Sequence, residues 1–243
     1  MIGFIGAGNM AGALARGWGE PVLATDSGSG RAAALVEELG GETLGDNAEL
    51  VRRADAVVLG HKPYQLEQVA AGVGDAATGK TVISILGGTS IAQLQAAFPQ
   101  STVIRAVPNT PVALRRGVTC IAEGGEQAVA LFERVGSVFV LPESQMSVAL
   151  ATTSVMPAYV ALVAEAAIDA GVRGGLPAAR ATEMFLATLA GSAELLIARG
   201  GDTLTVRREV TSPGGSTARG LAALERNGLR TAFDEALQAV IGG

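Results

Sequence analysis

The 243-residue chain holds one cysteine, Cys120, and one histidine, His61. A single cysteine makes no internal disulfide, and one Cys with one His makes no structural zinc site, so no metal is expected. A lone thiol fits the reducing cytoplasm, which is the expected location. Lysine is almost as scarce, with only Lys62 and Lys80 among eighteen Lys and Arg residues. Charged residues make up 17% of the chain and the net charge is −5. That balance leaves no basic footprint, and no nucleic-acid partner is expected. Met1 leads directly into the apolar MIGFIGAG, with neither a basic n-region nor a cleavage site, so no secretory signal is expected. The one long uncharged run, 144–164, is interrupted by Thr152, Thr153, Ser154 and Pro157 and followed by Glu165 and Asp169. It does not read as a membrane span.

What is present is alternation. The β-rich runs IGFIG, VLATD, DAVVLG, TVISIL and TVIRAV are separated by amphipathic stretches at 10–18, 31–39, 64–73 and 91–98. This spacing predicts βαβ units and a parallel sheet buried on both faces. GVTCIAE, a helical 126–135 and GSVFVLP extend the sheet by two more strands. Beyond Pro142 the strand signal stops, and 145–170, 177–199, 215–227 and 231–241 read as helices. GVRGGLP ends one helix and Pro177 opens the next. The predicted division is 1–143 and 144–243. The helices are Ala-, Leu- and Val-rich on more than one face, and some hundred residues cannot hide that surface alone. A homodimer built on the C-terminal half is expected.

GFIGAGNMAGALARG places Gly6-x-Gly8-x-x-Ala11 directly after a strand and before a helix. Gly6 permits the tight turn, Gly8 lets the backbone approach a pyrophosphate, and Ala11 allows close helix–strand packing. Asp26 follows twenty residues after Gly6, at the end of the next strand. Strand, turn, helix and acid together predict a dinucleotide-binding sheet of the Rossmann type. Asp26 suits an adenosine ribose and disfavours a 2′-phosphate, which leans the expectation toward NADH. Yet Ser27, Ser29 and Arg31 form a set that binds such a phosphate if Asp26 turns away. NADPH therefore stays open. Lys62 reads as a cofactor contact, and Asn109, on a stiff turn between Pro108 and Pro111, suits the nicotinamide side.

Oxidation of an alcohol commonly needs a His or Lys to take the hydroxyl proton. The helical half has neither. A protonated imine is already electrophilic and accepts hydride with a hydroxyl or water beside its nitrogen, so the inventory favours imine chemistry. REVTSPGGSTARGLAAL (208–224) then carries a candidate site. Pro213-Gly214-Gly215 makes a fixed turn into a helix starting near Ser216 or Thr217, and free N–H groups there suit a small carboxylate. Plain N-capping after a sharp loop is the competing explanation.

These residues identify a resemblance. IGFIGAGNMA, KPYQ, RAVPNTP, PAYVALVAEAAIDAGVRGGLP and EVTSPGGSTARGLAALERNGLRTAFDEA resemble the pyrroline-5-carboxylate reductase family over nearly the whole chain. The resemblance implies an N-terminal Rossmann domain followed by an all-helical dimerisation domain, often assembled further into a decamer. It implies hydride transfer from NADPH or NADH to the imine carbon of a small-molecule substrate, in the last step of proline biosynthesis. Candidate cofactor residues are Gly6, Gly8, Asn9, Met10, Ala11, Asp26, Ser27, Lys62, Pro63 and Asn109. Ser212, Gly214, Gly215, Ser216 and Thr217 would hold the substrate, with Thr217 beside the ring nitrogen as the catalytic candidate. Three departures stand out. Thr153-Ser154-Val155-Met156 replaces the usual Ser-Gly-Ser-Gly, Asp26-Ser27 replaces the common Asn-Arg, and His61 precedes Lys62 where an apolar residue is common. The first keeps two alternatives in view, a reductase of another cyclic imine acid and a non-catalytic NAD(P)-binding homologue.

Overall fold

The structure, a computed structural model, describes residues 1–242. Its contacts divide the chain into two compact units, Met1–Pro157 and Ala158–Gly243. The first unit opens with β1 (Ile2–Ile5), α1 (Asn9–Trp18), β2 (Val22–Thr25), α2 (Arg31–Leu39), β3 (Gly41–Thr43) and α3 (Asn47–Arg53). It continues with β4 (Ala56–Leu59), α4 (Leu66–Val73), β5 (Thr81–Ser84), α5 (Ile91–Ala97) and β6 (Thr102–Pro108). β7 (Gly117–Ala122), α6 (Val129–Glu133) and β8 (Gly136–Leu141) complete one sheet in the order β3-β2-β1-β4-β5-β6-β7-β8.

The central strands are buried on both faces because they are apolar at consecutive positions. Phe4, Val58 and Ile83 pack with Leu14, Trp18 and Phe132 on one face. Their neighbours Ile5, Leu59 and Val82 pack with Leu50 and Leu94 on the other. Strand periodicity of two thus produces two separate layers of core.

Two features depart from the sequence reading. β3 and α3 were not foreseen: Gly41-Glu42-Thr43 is a short exposed edge strand with no apolar alternation, while α3 is opened by Asp46, which accepts from the N–H groups of Ala48 and Glu49. The pairing is parallel throughout except between β6 and β7, which run antiparallel. Their connection, 109–116, is too short for a crossover helix and reverses the chain instead. It does so through a 3₁₀ turn and Arg115 at φ 56°.

The strand pattern ends near residue 142, but the first compact unit runs on to Pro157. Met146 and Ala149 of α7 (Met146–Ala149) pack against Val107, Cys120 and Ala122 of the sheet. The single helix expected over 145–170 is broken: a π turn (Leu150–Ser154) separates α7 from α8 (Met156–Arg173). Thr152 and Thr153 donate their hydroxyls back to Val148 and Ala149 carbonyls. Such back-bonding competes with the helical ladder.

Beyond Pro157 the chain is helical, with the rest of α8, then α9 (Ala178–Ala198), α10 (Thr203–Glu209), α11 (Ser216–Arg226) and α12 (Leu229–Ile241). The sequence reading missed α10, which Asp202 caps by accepting from the Thr205 N–H. Among the described residues of this unit only Ala164 and Ala181 are buried hydrophobics. Leu162, Met184, Leu186 and Ile197 are half or more exposed. The helical stretches Glu143–Arg173 and Ala178–Ala198 are each long and apolar enough to cross a membrane by length and composition.

Candidate active site

β1 lies between β2 and β4, where the strand order reverses, and the loops leaving these three strands enclose a crevice of about 510 Å³. In a doubly wound sheet this is the ligand position. Gly6, at the turn after β1, has φ +94° and donates its N–H to the Thr25 carbonyl at 3.0 Å. A Cβ there would stand 2.6 Å from the backbone nitrogen of His61. Gly8 is the N-cap of α1 and supplies no side chain to it. The leading N–H groups of α1, from Asn9, Met10 and Ala11, are therefore left for an anion. Ala11 is buried against Gly60, whose own Cβ, if present, would lie 2.8 Å from that of Ala11.

Of the sequence candidates, Gly6, Gly8, Asp26, Ser27 and Lys62 line this crevice. Asn9, Met10 and Ala11 form the first turn of α1, and Pro63 opens the 3₁₀ turn after Lys62. Ser29, Arg31 and His61 also line it, as do Asn47, Gln65 and Gln68, which the sequence reading did not single out. Asn47 accepts the Thr25 hydroxyl at 2.7 Å through Oδ1, which leaves its amide NH₂ as a donor. The Asp46-x-x-Glu49 capping signal marks the start of its helix.

Asp26 is turned toward α2. Its Oδ1 accepts the Gly28 N–H at 2.7 Å, and its Oδ2 accepts the Ser29 hydroxyl at 3.0 Å and the Ala32 N–H at 2.9 Å. These bonds, led by that from Ala32, hold its carboxyl below the usual range. His61 donates from Nδ1 to the Lys62 carbonyl at 2.8 Å, and its buried Nε2 has no partner among the described residues.

Burial pushes the His61 imidazole down from its ordinary value. The unfolded chain therefore takes up this proton first as the pH falls, near 6.5. Stability present at neutral pH should be lost on acidification through about 6.5 toward the lower folded value. Urea-unfolding midpoints between about pH 7.5 and 5 should show this acid slope in the native chain and a shallower one in His61→Asn.

Asn109 does not line the crevice. It is buried, accepts the Val118 N–H at 2.8 Å and donates to the Thr153 carbonyl at 3.2 Å. Ser154 adds a hydroxyl bond to the Pro108 carbonyl at 3.0 Å. The Pro108-Asn109 turn is thus bolted to the π turn that leads into Val155 and Met156, both half-buried. Asn109→Ala removes the partner of two part-buried backbone groups and should cost about 1–3 kcal/mol in equilibrium unfolding.

In the second unit, Gly214 takes φ +67° and Gly215 donates to the Ser212 carbonyl at 3.0 Å. A Cβ on Gly215 would collide with Ser212 Oγ. Arg219 braces the turn by donating to the Gly214 carbonyl at 2.7 Å. Gly215 is the N-cap of α11 and caps it with no side chain. The N–H groups of Ser216 and Thr217 thus open α11 without a side-chain acceptor, as a carboxylate requires. Thr217 is half-buried, while Ser212 and Ser216 are exposed. Among the described residues no group of three His, Cys, Asp or Glu side chains is placed to hold a metal ion.

The chain matches known proteins over both units. The family model described as pyrroline-5-carboxylate reductase dimerisation matches residues 143–242, and that described as NADP oxidoreductase, coenzyme F420-dependent, matches residues 1–88. A pyrroline-5-carboxylate reductase of Synechocystis is 39% identical over 201 residues, covering 80% of this chain and 75% of the relative. One of Pseudomonas aeruginosa is 34% identical, covering 98% of this chain and 93% of the relative. The crystal structure of Plasmodium falciparum pyrroline carboxylate reductase with NADP bound superposes with a TM-score of 0.89 at 28% identity, over 99% of this chain and 95% of that one. With the dimerisation model matching its helical part and relatives at this identity over most of its length, the chain belongs to the pyrroline-5-carboxylate reductase family.

Proposed function

We propose that the protein reduces 1-pyrroline-5-carboxylate to L-proline. The observation that carries this reading is the start of α11, where Pro213-Gly214-Gly215 presents free N–H groups beside the Thr217 hydroxyl. The substrate is a small cyclic imine bearing one carboxylate, and the turn offers one anion seat and one hydroxyl. Residues 1–143 serve the nicotinamide dinucleotide and 144–243 serve the substrate and dimerisation.

The crevice fits such a cofactor: Gly6 makes a turn that leaves no room for a side chain against Gly60-His61, Gly8 carries none at the start of α1, and α1 directs unpartnered N–H groups at a pyrophosphate. When bound, the reduced nicotinamide supplies hydride to the imine carbon. Ser212 and the 214–217 backbone hold the carboxylate and fix the ring. The Thr217 hydroxyl bonds the ring nitrogen, which carries the proton and becomes the amine as the C=N bond is reduced. No strong base is needed, in keeping with a helical half that has neither His nor Lys.

The exposed apolar faces of α8 and α9 are covered by a second copy of the chain, and the resemblance extends this reading to further assembly into a decamer. The test is absorbance at 340 nm with 1-pyrroline-5-carboxylate and, separately, NADH and NADPH. Oxidation of either is expected. Intact cofactor binding without oxidation would overturn the proposal. Faster turnover of a six-membered imine carboxylate would favour the second reading, which Val155 and Met156 beside the braced π turn motivate.

A further inference from the structure

We infer that Arg105 and Glu143 are positioning residues for hydride transfer: their ion pair fixes loop 85–90 and the approach to α7, the two segments that bound the nicotinamide end of the crevice. The inference rests on the proposed reductase reaction.

Arg105 lies on β6 beside Ser84 of β5, and at 5% exposure it is the only buried charged residue among the described residues. Its Nη1 donates to Glu143 Oε1 at 2.7 Å, and the same oxygen accepts the N–H of Ile91, the first residue of α5, at 3.1 Å. Glu143 opens the 3₁₀ turn that leads into α7. One carboxylate oxygen thereby joins β6, α5 and the approach to α7. Stability alone is a poor reason for such a pair, because taking a guanidinium out of water offsets much of the attraction it gains. Arg105 Nε and Glu143 Oε2 are moreover buried with no partner among the described residues. What the pair supplies is placement.

Loop 85–90 leaves β5 at Ser84, the register partner of Arg105, and ends at Ile91, which Glu143 holds. Its two ends are therefore anchored to the same ion pair. A Cβ on Gly87, in the middle of the loop, would lie 3.7 Å from Leu150 Cδ1 at the start of the π turn. That turn is tied to β6 a second time, through the Asn109 amide on the Thr153 carbonyl and the Ser154 hydroxyl on the Pro108 carbonyl. The segment 143–154 is thus pinned to β6 at both ends. A dinucleotide seated where the strand order reverses, between β1 and β4, carries its second half over the carboxyl ends of the strands beyond β4. Loop 85–90 leaves the carboxyl end of β5, and Pro108-Asn109 that of β6. Moving either by a fraction of an ångström changes the distance the hydride must cross.

The experiment compares the purified full chain with Arg105→Met/Glu143→Leu, Arg105→Met and Arg105→Lys at one protein concentration. It reads the melting temperature, calorimetric binding of 5′-ADP, and the single-turnover rate of cofactor oxidation at saturating 1-pyrroline-5-carboxylate. The double variant replaces the pair by apolar groups and should melt near the native temperature. Its single-turnover rate should fall about tenfold or more, because the reacting atoms are less well aligned. Binding of 5′-ADP, which reaches only the adenosine half, should stay native. Arg105→Met leaves Glu143 without its cation and should melt lower than the double variant. Arg105→Lys should recover part of the lost rate. A native rate in the folded double variant would overturn the inference. So would a fall in rate matched by loss of 5′-ADP affinity, or failure of the double variant to fold, since either makes the pair a structural tie only. Absence of turnover in the native chain would remove the reductase reading and this inference with it.

Discussion

Gly6→Ala should abolish dinucleotide binding, raising the dissociation constant of either cofactor by about a hundredfold or more and lowering stability by about 1–3 kcal/mol. The φ of +94° is a conformation an L side chain rarely adopts, and the new methyl would meet backbone, not a movable side chain. To relieve it, the Gly60-His61 segment must shift, and that segment is a wall of the crevice. Gly72 offers the contrast. It lines the same crevice within α4, nothing lies within 4 Å of its added Cβ, and Gly72→Ala should gain about 0.5–1 kcal/mol. Trp18, the only tryptophan, is buried with its ring centroid within 6 Å of those of Phe4 and Phe132. Its fluorescence reports unfolding of the first unit directly. Cofactor titration of Gly6→Ala with near-native affinity would contradict the assignment.

Thr217→Ala should lower kcat by roughly a hundredfold, the effect of deleting one donor aimed at a reacting centre. Cofactor affinity should stay near native if the residue touches substrate only, as proposed. Thr217→Ser should keep most of the rate, because the hydroxyl and not the methyl performs the role. A matched loss of NAD(P)H affinity in Thr217→Ala would show the residue serving the cofactor.

The turn between β1 and α1 was legible because its signals are local: a buried strand, a glycine that must turn and a helix that follows within a few residues. β3 and α3 were not, since an exposed Gly-Glu-Thr edge has no apolar period, and with α3 unread Asn47 went unnoticed. Asp26 was visible as an acid in the expected place, but the direction of its two oxygens depends on how the Gly28–Gly30 loop folds back. The bonds of Asn109 were not legible because its partners, Val118 and Thr153, lie far along the chain or across a strand reversal. The break of one long helix into α7, the π turn and α8 has the same origin. Hydroxyls that bond backward and a distant amide act together there, and neither leaves a periodic trace.

The bareness of the second unit sets how its stability must be spoken of. With two alanines as its buried hydrophobics among the described residues, it has almost no interior of its own. In the proposed dimer its order comes from association, and association obeys mass action. Dilution will loosen these helices as surely as heat. The melting temperature of this chain is therefore a curve against protein concentration, and a stabilising substitution on α8 or α9 will be felt most in the most dilute sample.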